Sequence, residues 1–195
     1  IAWTSDGTQL AGAGANGSVV LGQVLGRRVE WQNFEAVLVD THKVVVRDIA
    51  SEMEEEELEL KDRVIGLSMG YGSLVVTTAL QCCIYALANL NTPHIFDLKD
   101  TVNFIQLGEK YILMVDNKDM HVYSYDGRPV CQPKFQGMRP EAFNAQTVSM
   151  STESIAVIDH SDAKLVRVFD TATGKEQGKP IQHVLDVTSV AMNRW

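Results

Sequence analysis

Acid, base and hydroxyl side chains stand together at one place in this chain, Asp159-His160-Ser161-Asp162. Such a set invites a nucleophilic reading, in which a serine gives its proton to a histidine held in one tautomer by a carboxylate. That chemistry needs its members to converge from separate elements, and four consecutive residues in a polar turn do not converge.

Other candidate chemistry fails on spacing. Gly12, Gly14 and Gly17 satisfy G-x-G-x-x-G, yet a dinucleotide fingerprint must open a helix. Here the glycines lead through Asn16-Gly17 into the β-branched run Ser18-Val19-Val20-Leu21, so close packing of small residues is the expected reason for them. Thr173-Gly174-Lys175 has the tail of a phosphate loop without its spaced glycine. Asp97, Asp100, Glu109 and Asp116 are scattered carboxylates without an acid/base spacing. Cys82, Cys83 and Cys131 lack zinc-ligand spacing, and adjacent cysteines on a strand face opposite sides, so they read as small core hydrophobes. No catalytic residue, cofactor or metal ligand is expected.

One charge run remains, Glu54, Glu55, Glu56 and Glu57 within Ser51 to Asp62. Like charges repel and rarely pack, so a solvated, mobile loop is expected there. Its functional alternative is an electrostatic handle for a basic partner. A calcium loop would need alternating ligands around a central glycine.

The elements that carry these residues are short and β-rich. Between Ser154 and Met192 a strand, a polar turn, a strand ending in Phe169-Asp170, a Thr173-Gly174 turn, a short run at Pro180 to Gln182, His183 and an apolar run from Val187 follow in order. Upstream the same order recurs. Val64 to Met69, Leu74 to Ala79, Cys82 to Ala86 and His94 to Asp97 form one set. Val102 to Leu107, Tyr111 to Val115, Met120 to Tyr125 and a run near Lys134-Phe135 form the next. Ala145 to Met150, Ile155 to Ile158, Val166 to Phe169 and Pro180 to Gln182 form a third, with Val187 opening a fourth. A four-strand unit repeating about every 40 residues is the blade of a WD-type β-propeller.

Ile1 to Val24 matches three strands of such a blade, with turns at Asp6-Gly7 and at Asn16-Gly17, both strong hairpin signals. The runs Val29 to Val39 and Lys43 to Ile49 read as a long hairpin that closes one sheet and begins another. The domain division expected is therefore residues 1–40, the last blade of one propeller, and 41–195, the first blades of a second.

Within this frame the residues with special roles are structural. Asp6, Gly7, Asn16, Gly17, Asp126, Asp162 and Asp170 punctuate blade turns, and His183 stands where a histidine ahead of a new blade would bond a turn aspartate such as Asp162.

At 195 residues the chain is shorter than a closed propeller of six or seven blades, which needs roughly 250, so it reads as an excerpt. A net charge of −8 argues against a nucleic-acid partner, since phosphate binding leans on a basic surface. No apolar run reaches a membrane-spanning length, so no direct membrane insertion is expected.

Beyond the repeat pattern, "IAWTSDGTQLAGA", "NFEAVL", "NTPHIFDLK", "SYDGRPV", "PKFQGMR" and "NAQTVSMSTESIAVID" resemble, in the same order, segments of the intraflagellar transport protein 80 family. These are WD-repeat subunits of the intraflagellar transport B complex of cilia and flagella. The resemblance implies tandem propellers, a non-enzymatic scaffold role in cilium assembly, other subunits of that complex as partners, and a location in the cytoplasm, the cilium and its base. It transfers no catalytic motif and leaves homo-dimerisation open. A vesicle-coat or tethering scaffold, which shares tandem propellers, is the alternative.

Overall fold

The computed structural model describes residues 1–3, 9–23, 27–51 and 55–193. They form five antiparallel sheets, with a single short 3-10 helix at Pro140–Ala142 among the described residues. Two units divide the chain, Ile1–Lys61 and Asp62–Trp195.

In the first unit β1 (Ala2–Trp3), β2 (Gln9–Ala13) and β3 (Val19–Gln23) make a three-stranded meander. Gly12 pairs with Val20 across β2 and β3, so the glycine motif lies in a hairpin and not at a helix start. A Cβ on Gly12 would meet nothing within 4 Å, so the crowding expected around it is not there among the described residues. The turn itself does require glycine. Gly17 sits at φ 79°, where side chains are strained, and Asn16 Oδ1 accepts from the Ser18 amide at 3.1 Å. Asp6 and Gly7 lie outside the described residues.

The next sheet runs β4 (Arg28–Trp31), β5 (Phe34–Asp40), β6 (Lys43–Asp48) and β7 (Glu56–Glu59), in chain order. Two expectations are corrected here. The run Val29 to Val39 is not one strand: it turns at Gln32-Asn33, with Gln32 in the left-handed region at φ 53°, and Thr41-His42 is a hairpin turn inside one sheet. From Glu56 to Glu59 the acidic segment is not a solvated loop. Glu56–Glu59 is an edge strand paired with β6, because Leu58 is buried and Lys43 meets Glu57 at 2.6 Å while Arg47 reaches Glu55 at 3.3 Å.

Three meanders of four strands make the second unit. They are β8 (Gly66–Gly70), β9 (Ser73–Thr77), β10 (Gln81–Ala86), β11 (Asn89–Asp97); β12 (Val102–Leu107), β13 (Tyr111–Asp116), β14 (Met120–Ser124), β15 (Pro129–Cys131); and β16 (Val148–Met150), β17 (Ser154–Ile158), β18 (Leu165–Asp170), β19 (Ile181–Gln182). The first strand β12 approaches β8 on one side and β16 on the other, as the inner strands of successive blades do.

The middle sheet explains why these strands read as unbroken apolar runs. Alternate side chains point to opposite faces. Ile112 and Met114 pack with Val75, Cys82 and Ile84 of the preceding sheet, whereas Leu113 and Val115 pack with Val148, Ile155 and Phe169 of the following one. Both faces of β13 are thus buried, each such side chain contributing about 1.5–3 kcal/mol.

Three details depart from the sequence pattern. The fourth strand of the middle sheet is Pro129–Cys131, not the run near Lys134-Phe135; Phe135 instead lies in the following connection, its ring 5.9 Å from that of Phe169. β11 starts at Asn89, earlier than His94. Val187 to Met192 is not a strand. Its amides are taken one at a time, Val187 by the Ala163 carbonyl at 2.8 Å, Val190 by that of Gln146 at 2.8 Å, and Met192 by Ser149 Oγ at 2.9 Å.

Candidate functional site

Each four-stranded sheet closes its second hairpin in the same way. Asp40, Thr78, Asp116 and Asp159 stand at or one past the end of β5, β9, β13 and β17, about 40 residues apart. Each side-chain oxygen accepts amide hydrogens of the turn that follows: Asp40 from Thr41 at 2.5 Å, Thr78 from Gln81 at 3.0 Å, Asp116 from Lys118 at 2.7 Å and Asp119 at 2.8 Å, Asp159 from Ser161 at 2.9 Å. This is the Asx/ST-turn device, repeated once per blade.

In the last two sheets the carboxylate also holds the third strand. Asp116 Oδ2 lies 2.9 Å from His121 Nε2, and His121 Nδ1 lies 2.9 Å from Gln132 Nε2. Asp159 Oδ2 accepts from Arg167 Nε at 2.8 Å, and Arg167 also reaches Glu176 at 2.8 Å and covers the Phe135 ring at 4.7 Å. Asp159 is only 1% exposed. Burial pushes its carboxyl upward, but the hydrogen bonds from Ser161 and Arg167 outweigh that and hold it below the ordinary value.

The residues singled out from the sequence fall close to this network without being its centre. Asp162 bonds the Lys164 amide at 3.1 Å, a local turn bond. His183 donates its backbone amide to the Lys164 carbonyl at 2.8 Å, and its exposed side chain is not joined to Asp162 by any bond among the described residues. Ser161 Oγ donates to Asp159 at 2.5 Å, and no bond joins it to His160, whose ring packs 5.7 Å from Phe143. Asp170 ties the last hairpin of its blade, accepting from the Thr173 amide and hydroxyl at 2.7 Å each, with Gly174 at φ 70°. Asp126 accepts from Ser124 Oγ and pairs with Arg128 at 2.9 Å.

Cys82 and Cys83 are buried and Cys131 is half-buried. Desolvation raises the Cys82 thiol strongly and raises Cys131 to about 11, the charge of Asp170 adding to the second, so both are protonated at neutral pH. Among the described residues no three His, Cys, Asp or Glu side chains gather as a metal would require.

Glu55, Glu56 and Glu57 sit on or beside β7, with Glu55 and Glu57 in the ion pairs described above; Glu54 lies outside the described residues. A further carboxylate escaped the sequence reading. Glu35 is 5% exposed on β5 and is gripped from both neighbouring strands, by Arg28 at 2.6 Å and Arg47 at 2.7 Å.

A concave surface lies in the second unit between β11 and the β14–β15 pair. It has a volume of about 490 Å³, within the range of ligand pockets. Phe96, Met114, Tyr123 and Val130 line it with Asp97, Lys99, Asp116, His121 and Gln132. Phe96 and Tyr123 close its floor, their ring centroids 4.8 Å apart.

Comparison with known proteins gives this architecture a lineage. Residues 26–195 match the family described as IFT80 second beta-propeller. The chain belongs to the IFT80 family. The intraflagellar transport protein 80 homolog of Rattus norvegicus is 43% identical over the whole chain, and that of Mus musculus 42%. The chain spans about a quarter of the length of each, 25%. Solved propellers share the fold alone. Kluyveromyces lactis Hsv2p matches at TM-score 0.59 and 16% identity over 91% of this chain and 58% of its own. Citrobacter koseri AztD matches at 0.63 and 10% over 90% and 51%.

Proposed function

We propose that this IFT80-family chain is a non-enzymatic scaffold segment of an intraflagellar transport B complex subunit and supports assembly of the cilium or flagellum. The observation that carries the reading is identity to IFT80 homologues along the entire chain, at 43%, where repeat-forming residues alone would match only in turns and strands. The physics suits the task. Sheets buried on both faces are stiff, and they hold many loops at fixed positions on a rim, where recognition concentrates.

Partners are then other subunits of the complex, and the protein works in the cytoplasm, the cilium and its base. No helix among the described residues is long and apolar enough to cross a membrane, and the net charge of −8 disfavours nucleic acid. For domains, the sheet β1–β3 is assigned to the end of a first propeller and the sheets from Arg28 onward to the opening of a second. The sequence pattern puts that boundary at residue 40, and the match of residues 26–195 to the second-propeller family supports drawing it ahead of β4.

Removing the protein from a ciliated cell tests this reading. Cilia should be absent or short and return when the full-length protein is restored. Cilia of normal length and number without it would overturn the proposal.

A further inference from the structure

The groove between β11 and β14–β15 has three properties that together specify an occupant. Its floor is apolar, built from Phe96, Met114, Tyr123 and Val130, and its volume admits one or two large side chains. Its two walls end in open sheet edges, since β11 and β15 are each the outermost strand of their sheet. Such edges carry unpaired backbone donors and acceptors and invite another extended chain. Pro93 and Pro129 each remove one donor, but Ile95 to Asp97, beside the groove, contains no proline.

Its third property is charge. Asp116 is committed to turn amides and His121, and Asp100 is paired with Lys118 at 2.7 Å. Asp97, exposed on the rim, accepts one hydrogen bond from Gln81 at 3.1 Å and makes no ion pair among the described residues. Lys99 also lines the groove but stands past the end of β11, whereas Asp97 is on β11 beside Phe96, so a cation carried next to an apolar group on an extended occupant meets a carboxylate there.

We propose that this groove binds an extended peptide segment of a partner protein, seating one aliphatic or aromatic side chain against Phe96 and Tyr123 and placing a neighbouring Lys or Arg at Asp97. The assignment rests on the seam between two blades and not on the transport reading, so either can fail without the other.

The test is a phage-displayed library of random dodecapeptides panned on the full-length protein, then measured as free peptides against Asp97→Lys and Val130→Trp. The first variant changes an exposed rim residue and the second fills the groove. Enriched peptides should share an apolar residue within two positions of Lys or Arg. They should weaken about tenfold or more on both variants and recover on Asp97→Lys when their basic residue is made Glu. A thermal melt checks each variant, and should Val130→Trp fail to fold, the charge reversal alone decides. No enrichment, enrichment of acidic or purely polar peptides, or binding indifferent to Asp97→Lys overturns the proposal. So does self-association of the protein that Asp97→Lys abolishes, which would make a second copy the occupant.

Discussion

Asp159 and Asp162 lie three positions apart in one turn, and only their surroundings separate them. Asp159 is buried and accepts from two elements, the turn and Arg167 of β18; Asp162 faces solvent. Truncating a buried, charge-paired acceptor strands its partners, whereas losing one exposed turn bond costs little. Asp159→Ala should therefore destabilise the protein by about 3 kcal/mol, and Asp162→Ala by about 0.5 kcal/mol, in equilibrium denaturation. Equal effects would place the network elsewhere. The same carboxylate sets a pH dependence. Hydrogen bonds hold it below its unfolded value of 3.8 despite its burial, so its contribution is complete above about pH 4 and is lost as pH falls through the lower folded value. Wild type should lose stability more steeply than Asp159→Asn below pH 4; parallel curves would contradict this. The sequence shows that a turn aspartate matters, since polar clusters recur at fixed places. It does not show which one, because burial of Asp159 depends on Arg167 and Phe135 arriving from elsewhere in the chain.

At the scale of elements, strands buried on both faces were the legible ones. Tyr111–Asp116 announces itself as an apolar run because two neighbouring sheets cover it, and Ser154–Ile158 reads the same way, with Ile155 to Ile158 buried. Edge strands carry a weaker signal. Pro129–Cys131 has one neighbour and three residues, and the more apolar Phe135 nearby drew the assignment away from it. β7 is the clearest case: four consecutive glutamates predict a repelling loop, and cations opposite on β6 together with buried Leu58 let Glu56–Glu59 pair as a strand. Lys43→Glu should thus release β7, seen as faster hydrogen exchange at the amides of Glu56–Glu59, while β5 stays protected. Unchanged protection there would show that Leu58 alone holds the edge. The run Val187 to Met192 errs the other way, with strand composition but no paired ladder to join.

For the whole molecule, the repeated meanders were readable from order and spacing, and the segments outside the repeat pointed to the IFT80 family. The turn at Gln32-Asn33 was not legible, because it carries no glycine or proline to mark it. The groove was not legible at all, since its floor joins Phe96 to Tyr123 and Val130 across two sheets. In the proposed function the stiff blades hold docking loops within a transport complex and bear no reagents. Time-lapse imaging of the fluorescently tagged full-length protein in living ciliated cells tests that most directly: it should travel in both directions along the axoneme together with a subunit of the transport B complex, and a protein confined to cytoplasmic vesicles or diffusing without directed movement would contradict it.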